Sequence, residues 1–237
     1  MVKLMRLMAL DFRMILREQM LWFMFWVAPA LQFSAVYLVL PILERYFPVL
    51  SEYRLLVLLL MTLQVVSSIG GVIAYMLLDE KDEEALTAIR TMPIGVNAFL
   101  FYRLFLGTSA AFVFAVLMLA VTNIAHLNPL QVLLGALLFA GTAPLVTLTL
   151  ASFAQNKVEG LAVYKVVSLA LLLPAASFFL GSAFKYLLGV VPVYWTFHFL
   201  AAVDAGKTGL LELGLALLTH ALAFWGLLRV FRRRVFG

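Results

Sequence analysis

Two groups of residues have the side chains that phosphate binding or nucleophilic catalysis would need. Gly206-Lys207-Thr208 matches the end of a phosphate-binding P-loop, but Ala201 stands where that loop needs a glycine and no strand precedes it. Ser109 and His220 are a nucleophile type and a base type. Short Gly-x-Ser strings in apolar helices, however, more often let neighbouring helices approach closely. We therefore predict no catalytic residue.

Metal and thiol chemistry have little support in the sequence. The chain has no cysteine, which excludes disulfides, thiolate metal sites and cysteine nucleophiles. Its three histidines, His126, His198 and His220, form no short ligand pattern with carboxylates. We expect His220, which lies deep in an apolar run, to bond a neighbouring helix, and we predict no metal site.

The most informative polar segment is residues 79–93, which carries acidic residues first and Arg90 near its end. That order complements the dipole of a helix, and Pro93 would stop such a helix. Leu86 and Ile89 lie three residues apart and give this charged helix a short apolar ridge. A connector that only joins two elements does not need such a ridge, whereas a helix that fits a groove on another protein does.

The composition describes what must position this segment. Of 237 residues, 65% are hydrophobic and 12% are charged, and the mean hydropathy is +1.07. Soluble domains are about half apolar and about a quarter charged. The composition therefore excludes an ordinary soluble enzyme and a disordered chain, and it indicates a protein embedded in lipid.

Uncharged runs bounded by charged residues predict an all-α polytopic membrane protein with six transmembrane helices. A polar break at His126, Asn128 and Pro129 divides the longest run. Pro29, Pro144 and Pro174 can kink their helices. No soluble domain fits beside the spans, so residues 1–237 are one membrane domain. The predicted spans are residues 21–40, 55–78, 104–124, 130–153, 161–184 and 209–228.

Two further segments are predicted to contact the membrane without crossing it. Residues 1–20 form a basic amphipathic helix, with its basic residues in one narrow sector, and are expected to lie in the membrane interface. Residues 186–203 could be counted as a seventh span, but Gly189 and Pro192 interrupt them. We interpret this run as an outer re-entrant or interfacial segment before the last span.

The positions of the basic residues predict the orientation. With six spans, 13 of the 17 Lys and Arg residues fall on the side that carries both termini. Cytoplasmic loops carry the excess of Lys and Arg, so both termini are expected in the cytoplasm and the protein in the cytoplasmic membrane. Basic residues at the edge of an anionic bilayer also account for the net charge of +5, and no nucleic-acid partner is needed.

On these residues the chain resembles the permeases of type-2 ABC exporters. Glu80-Lys81-Asp82, Leu86, Ile89 and Pro93 are similar to the coupling helix of that family, and the plan of interface helix, six spans and re-entrant segment is similar too. Val191-Pro192-Val193-Tyr194-Trp195 resembles a Pro-aromatic feature of these permeases. The stretch from Glu80 to Arg103 is most similar to the branch of fluoroquinolone-export permeases.

The resemblance implies a transporter subunit rather than an enzyme. A separate ABC ATPase would bind ATP and Mg²⁺, dock on the coupling helix and drive export, and this chain would bind no cofactor. The residues implied in coupling are Glu80, Lys81, Asp82, Glu83, Glu84, Leu86, Ile89, Arg90 and Pro93. The resemblance also implies a pathway lined by spans two and five. Polar residues that share one face of each helix are then pathway candidates, namely Gln64, Ser68, Gly71 and Tyr75, with Tyr164, Ser168 and Leu172.

Partner and substrate are defined only by class. The family plan implies a dimer with an identical chain or a second permease, and the weakly polar lining fits a hydrophobic or amphipathic compound such as a drug or a lipid, as in multidrug export. The sequence leaves open a membrane binding, immunity or assembly protein without transport, and an ion-coupled carrier. It also leaves open an intramembrane protease built on Ser109.

Overall fold

The computed structural model describes residues 2–82, 96–121, 124–181 and 183–235, and within these ranges every regular element is helical. Six helical stretches in this part of the chain are long and apolar enough to cross a membrane. The predicted all-α polytopic fold with six transmembrane helices is therefore confirmed, and the protein is a multi-pass membrane protein.

The helices follow one another as the charge pattern predicts. Helix α1 (Val2–Arg17) precedes the spans, and α8 (Pro192–Asp204) lies between the last two. Three segments are 3-10 helices. One lies before α3 (Pro48–Tyr53), one continues α7 (Leu173–Phe178) and one lies before α8 (Ala183–Val190). The six spans are α2 (Gln19–Tyr46), α3 (Arg54–Asp82), α4 (Val96–Val121), α5 with α6 (Pro129–Ala140 and Thr142–Phe153), α7 (Lys157–Leu172) and α9 (Leu210–Val235).

Prolines set the irregular turns of the spans. In α2, two π-helical turns, Phe23–Val27 and Ala35–Val39, are each followed two residues later by Pro29 or Pro41. A proline cannot donate to the carbonyl four residues earlier, and a π turn accommodates that lost bond. Pro144 lies just after the break between α5 and α6 and withdraws a backbone donor there for the same reason.

Helix α3 and the α5–α6 pair form the centre of the bundle. In the most apolar part of the span that contains α3, 78% of the residues are buried, against 11% in the spans of α7 and α9. The largest buried cluster joins α3, α4, α5 and α8 through side chains such as Leu58, Met118 and Phe139. The outer spans therefore present most of their apolar surface to the surroundings, as helices in lipid do.

The two ends of the bundle differ in what they carry. At one end, here called the terminal end, α1 and the C-terminal part of α9 meet the ends of α3 and α6. At the opposite end, Glu44 and Arg54 pair across the α2–α3 connection with both nitrogen–oxygen distances at 2.5 Å. Tyr53 stacks there on Phe179, with ring centres 5.6 Å apart.

Some boundaries differ from the predicted ones. The fifth span narrows to a 3-10 helix at Pro174 and ends at Phe178, short of residue 184, because the proline breaks the α-helical bonding. Residues 79–82 continue the helix of span two instead of beginning a separate coupling helix. Residues 79–82, predicted as the start of the coupling helix, therefore belong to α3, and the rest of that predicted helix lies outside the described residues.

Residues 186–203 form the end of a 3-10 segment and most of α8. Helix α8 has 13 residues, which at about 1.5 Å each is too short to cross a bilayer core of about 30 Å. Tyr194, Phe197 and Leu200 are buried in the bundle, and Asp204 accepts a hydrogen bond from the His126 backbone at the opposite end. Helix α8 thus ends at the opposite end of the bundle, and the re-entrant position of the segment in the membrane remains a prediction.

Candidate functional site

Two groups of charged side chains gather at the terminal end, around the point where α3 ends. The first, the Arg103 triad, consists of Asp11 on α1, Glu80 on α3 and Arg103 on α4. The second, the Lys157 triad, consists of Glu18 before α2, Asp79 on α3 and Lys157 at the start of α7. Each triad therefore ties the end of α3 to two other parts of the chain.

The Arg103 triad is buried. The Arg103 and Asp11 side chains are 4% and 7% exposed. The Arg103 Nη2 lies 3.2 Å from the Asp11 Oδ1 and also donates to Glu80. The Tyr102 hydroxyl donates to the other Asp11 oxygen at 2.9 Å. Burial raises the pKa of Asp11, and the Arg103 guanidinium and the Tyr102 hydroxyl oppose that rise. One cation thus holds two carboxylates with little help from water.

The Arg103 triad also has unused hydrogen-bonding capacity. Within the described residues, the Arg103 Nε and Nη1 and one Glu80 oxygen have no hydrogen-bond partner. The Arg103 guanidinium lies 5.1 Å from the centre of the Phe99 ring, a cation–π contact that partly compensates. A buried guanidinium with free donors strongly depends on the carboxylates that it does contact.

The Lys157 triad is more open to solvent. The Lys157 Nζ donates to Glu18 and lies 2.7 Å from an Asp79 oxygen, and all three side chains are partly exposed. Next to it, the Lys81 Nζ donates at 2.9 Å to the carbonyl of Ala154, just after α6 ends. The ends of α3 and α6 and the starts of α2 and α7 are therefore linked by side chains.

The Arg103 triad has members on both sides of residues 83–95, which contain most of the predicted coupling segment. Glu80 lies just before residues 83–95, and Arg103 lies on the helix that follows them. Both Glu80 and Lys81 make contacts within the chain, and Asp82 is the last residue of α3. The other predicted coupling residues lie outside the described residues, and their role stays a prediction. These are Glu83, Glu84, Leu86, Ile89, Arg90 and Pro93.

The predicted pathway residues lie mainly along one contact, the α3–α7 seam. The Tyr75 and Tyr164 rings are 6.5 Å apart, and a Cβ built on Gly71 would lie 3.1 Å from the Tyr164 ring. Ser67 and Ser168 lie near the Tyr164 hydroxyl. Within the described residues, the Tyr75 hydroxyl has no hydrogen-bond partner, whereas Ser67 and Ser168 interact with Tyr164. The seam thus holds a group of hydroxyls inside an apolar bundle.

Three of the predicted pathway residues do not join these hydroxyls. The Ser68 hydroxyl donates at 2.5 Å to the Met24 carbonyl on α2, so it links two helices. Gln64 and Leu172 lie half-buried nearer the opposite end. The prediction that these side chains line a transport pathway is not tested by their positions.

Gly160, which lets α7 approach α3, is not among the residues predicted from the sequence. A Cβ at this position would lie 2.7 Å from the Leu78 Cδ1 and 3.0 Å from the Tyr75 ring. The pairing of Asp11 and Glu18 with basic residues is not among these predictions either. A buried partner for Asp11 could have been predicted, because the helical periodicity of α1 places this residue on the apolar side of the helix.

The two catalytic candidates have structural roles in the fold. Gly206 has φ 76°, and Lys207 N–H donates to the Ala202 carbonyl, which is a glycine-based end to α8. His220 is buried, with one ring nitrogen 2.8 Å from the Ala216 carbonyl and the other 3.4 Å from the Thr142 hydroxyl on α6. His220 therefore contacts a neighbouring helix, and neither ring nitrogen bonds Ser109.

Comparison with known proteins gives one consistent result. Residues 11–228 match the sequence profile of a family described as fluoroquinolones export permease protein Rv2686c-like. The fluoroquinolones export permease proteins MT2760 and Rv2686c, from two strains of Mycobacterium tuberculosis, are each 28% identical over 217 residues. These alignments cover 88% of this chain and 86% of each relative. No solved structure matches the chain significantly.

Proposed function

The chain belongs to the Rv2686c-like family of fluoroquinolones export permease proteins, and we propose that it is the membrane subunit of an ATP-driven ABC exporter. Its relatives are named for fluoroquinolone export, so a fluoroquinolone or a similar amphipathic compound is the proposed substrate, with multidrug export as the wider class. ATP and Mg²⁺ bind a separate ATPase subunit in this proposal.

The observation that carries the proposal is that the helices on either side of residues 83–95 are joined to each other by an ion pair. The Arg103 triad joins the helix before this segment to the helix after it, and Asp11 adds α1 to the same group. A force applied to residues 83–95 would then move α3 and α4 together, because the ion pair holds the two helices to each other. The predicted ridge of Leu86 and Ile89 provides the surface on which an ATPase would apply that force.

Helix α3 is the element through which this force would act on a substrate. It lies at the centre of the bundle and contacts α7 along the seam of Tyr75 and Tyr164. A shift of α3 against α7 would expose or cover the hydroxyls of Ser67, Tyr75 and Ser168. These hydroxyls could bond the polar groups of an amphipathic compound, while the surrounding side chains contact its apolar part.

The proposed assembly has two permease chains and two ATPase subunits in the cytoplasmic membrane. The exposed outer faces of α2 and α7 leave room for a second copy or a second permease beside the seam. Both termini lie in the cytoplasm in this arrangement, which places the Arg103 triad at the ATPase side. The excess of basic residues on that side supports the orientation.

An accumulation assay tests the function. Cells that express this chain together with an ABC ATPase should accumulate less fluoroquinolone than cells that express either protein alone. Ser168→Leu, which removes a seam hydroxyl and adds bulk, should restore accumulation, whereas Val166→Leu on the 68% exposed face of the same helix should not. Equal accumulation in all strains would contradict the proposal and favour a membrane protein without transport.

A further inference from the structure

A partly open apolar cavity lies under α1, between that helix and the spans. Its volume is about 320 Å³, roughly twice that of the about 150 Å³ apolar cavity that admits benzene in an engineered protein. Three residues of α1, Met8, Phe12 and Ile15, form one wall. The other walls come from α2, α3 and α4 and consist of Phe25, Ile69, Ile73, Leu106, Gly107 and Ala110.

The lining offers nothing for a polar molecule to bond. None of these side chains carries a hydrogen-bond donor or an oxygen acceptor, so water in the cavity would lose the partners that it keeps outside. Met8 and Phe12 are 44% and 47% exposed, so the wall that α1 forms borders the outside of the bundle. We expect lipid outside this wall, because α1 is predicted to lie in the membrane interface beside the spans.

The charges of α1 define what surrounds the cavity. Arg13 and Arg17 are exposed and lie on the side of α1 away from Met8, Phe12 and Ile15. A helix of this kind lies in the membrane interface with its apolar face about 5–10 Å below the headgroups. The cavity beneath it is then at the depth of acyl chains, and the basic side is at the level of anionic phosphates.

We propose that this cavity holds one acyl chain of an anionic phospholipid, whose phosphate lies beside the basic residues of α1. An acyl chain fills the space with dispersion contacts and leaves no polar group unpaired. A charged or zwitterionic drug would leave its polar groups buried without partners there, so the exported compound is not the occupant. The bound lipid would brace α1 and with it Asp11, four residues before Ile15.

Photo-crosslinking tests the site. The probe is a phosphatidylglycerol with a diazirine on one acyl chain, added to the full chain in lipid nanodiscs. Crosslinks should concentrate on the peptides that carry the cavity lining, above the level on lipid-facing peptides of α9. Ala110→Phe should fill the cavity and lower the yield at these peptides by roughly tenfold. Val113→Phe, on an exposed position of the same helix, should leave the yield unchanged.

Competition identifies the occupant. An excess of a single-chain phospholipid should displace the probe, and a fluoroquinolone should not. Crosslinks spread evenly over the lipid-facing surface of the unmodified chain would overturn the proposal even if Ala110→Phe failed to fold. Displacement by the fluoroquinolone would overturn it as well and would assign the cavity to the exported compound. This test does not depend on transport, so it can fail while the proposed function stands.

Discussion

Arg103→Ala is expected to destabilise the folded chain by about 3–5 kcal/mol, the usual cost of removing one partner from a buried ion pair. Asp11 and Glu80 would both remain at the terminal end without their cation. The size of the effect follows from burial, because the Arg103 side chain is 4% exposed and water can replace little of the lost interaction. Thermal unfolding in detergent, followed by size-exclusion chromatography, measures the loss.

Two further variants separate the charge from the packing. Arg103→Leu combined with Asp11→Asn and Glu80→Gln removes all three charges and should recover most of the stability. Arg54→Ala breaks an ion pair at the opposite end, where the arginine is 50% exposed. The unfolding temperature of this variant should be close to that of the unmodified chain. If Arg103→Ala were no less stable than Arg54→Ala, the Arg103 triad would not hold the terminal end together.

Leu86→Asp with Ile89→Asp is expected to abolish docking of the ATPase. Each of these apolar side chains would be a central contact, worth about 2 kcal/mol or more, so the pair should weaken association by roughly a thousandfold. The new carboxylates would also be buried at the interface without partners. Copurification of the ATPase with the chain under mild detergent, together with stimulation of ATP hydrolysis, measures the effect.

The matched control carries the same two charges on another face. Thr87 and Ala88 fall on the other side of the predicted helix, so Thr87→Asp with Ala88→Asp should leave most of the association. Equal losses in both double variants would show that added charge, rather than the apolar ridge, disturbs docking. If the Leu86 and Ile89 variant kept full association with the ATPase, residues 79–93 would not be part of the interface.

The spans were predictable because lipid makes the burial of charge expensive along the whole chain. Glu18 and Arg54 mark the beginnings of α2 and α3 almost to the residue, since charged side chains seldom enter a bilayer core. The contact of Tyr75 with Tyr164 was also within reach, because helical periodicity selects one face of each span. The family resemblance then selected the two spans.

The ion network could not be predicted in the same way. Asp11 and Arg103 are far apart in the chain, and their pairing depends on how α1 packs against α3 and α4. The position of Asp11 on the apolar side of α1 indicates a buried partner but does not identify it. Likewise, the end of the fifth span at Phe178 follows from Pro174, whose effect on a long apolar run depends on its neighbours.

We propose that this chain moves its substrate only when a separate ATPase drives it. Purified chain and ATPase, reconstituted into vesicles, test it through the movement of a fluoroquinolone across the bilayer. We expect transport with ATP and Mg²⁺ that persists when an ionophore collapses the ion gradients, and no transport by the chain alone. Transport by the chain alone, driven by a proton gradient in the absence of ATP, would contradict it.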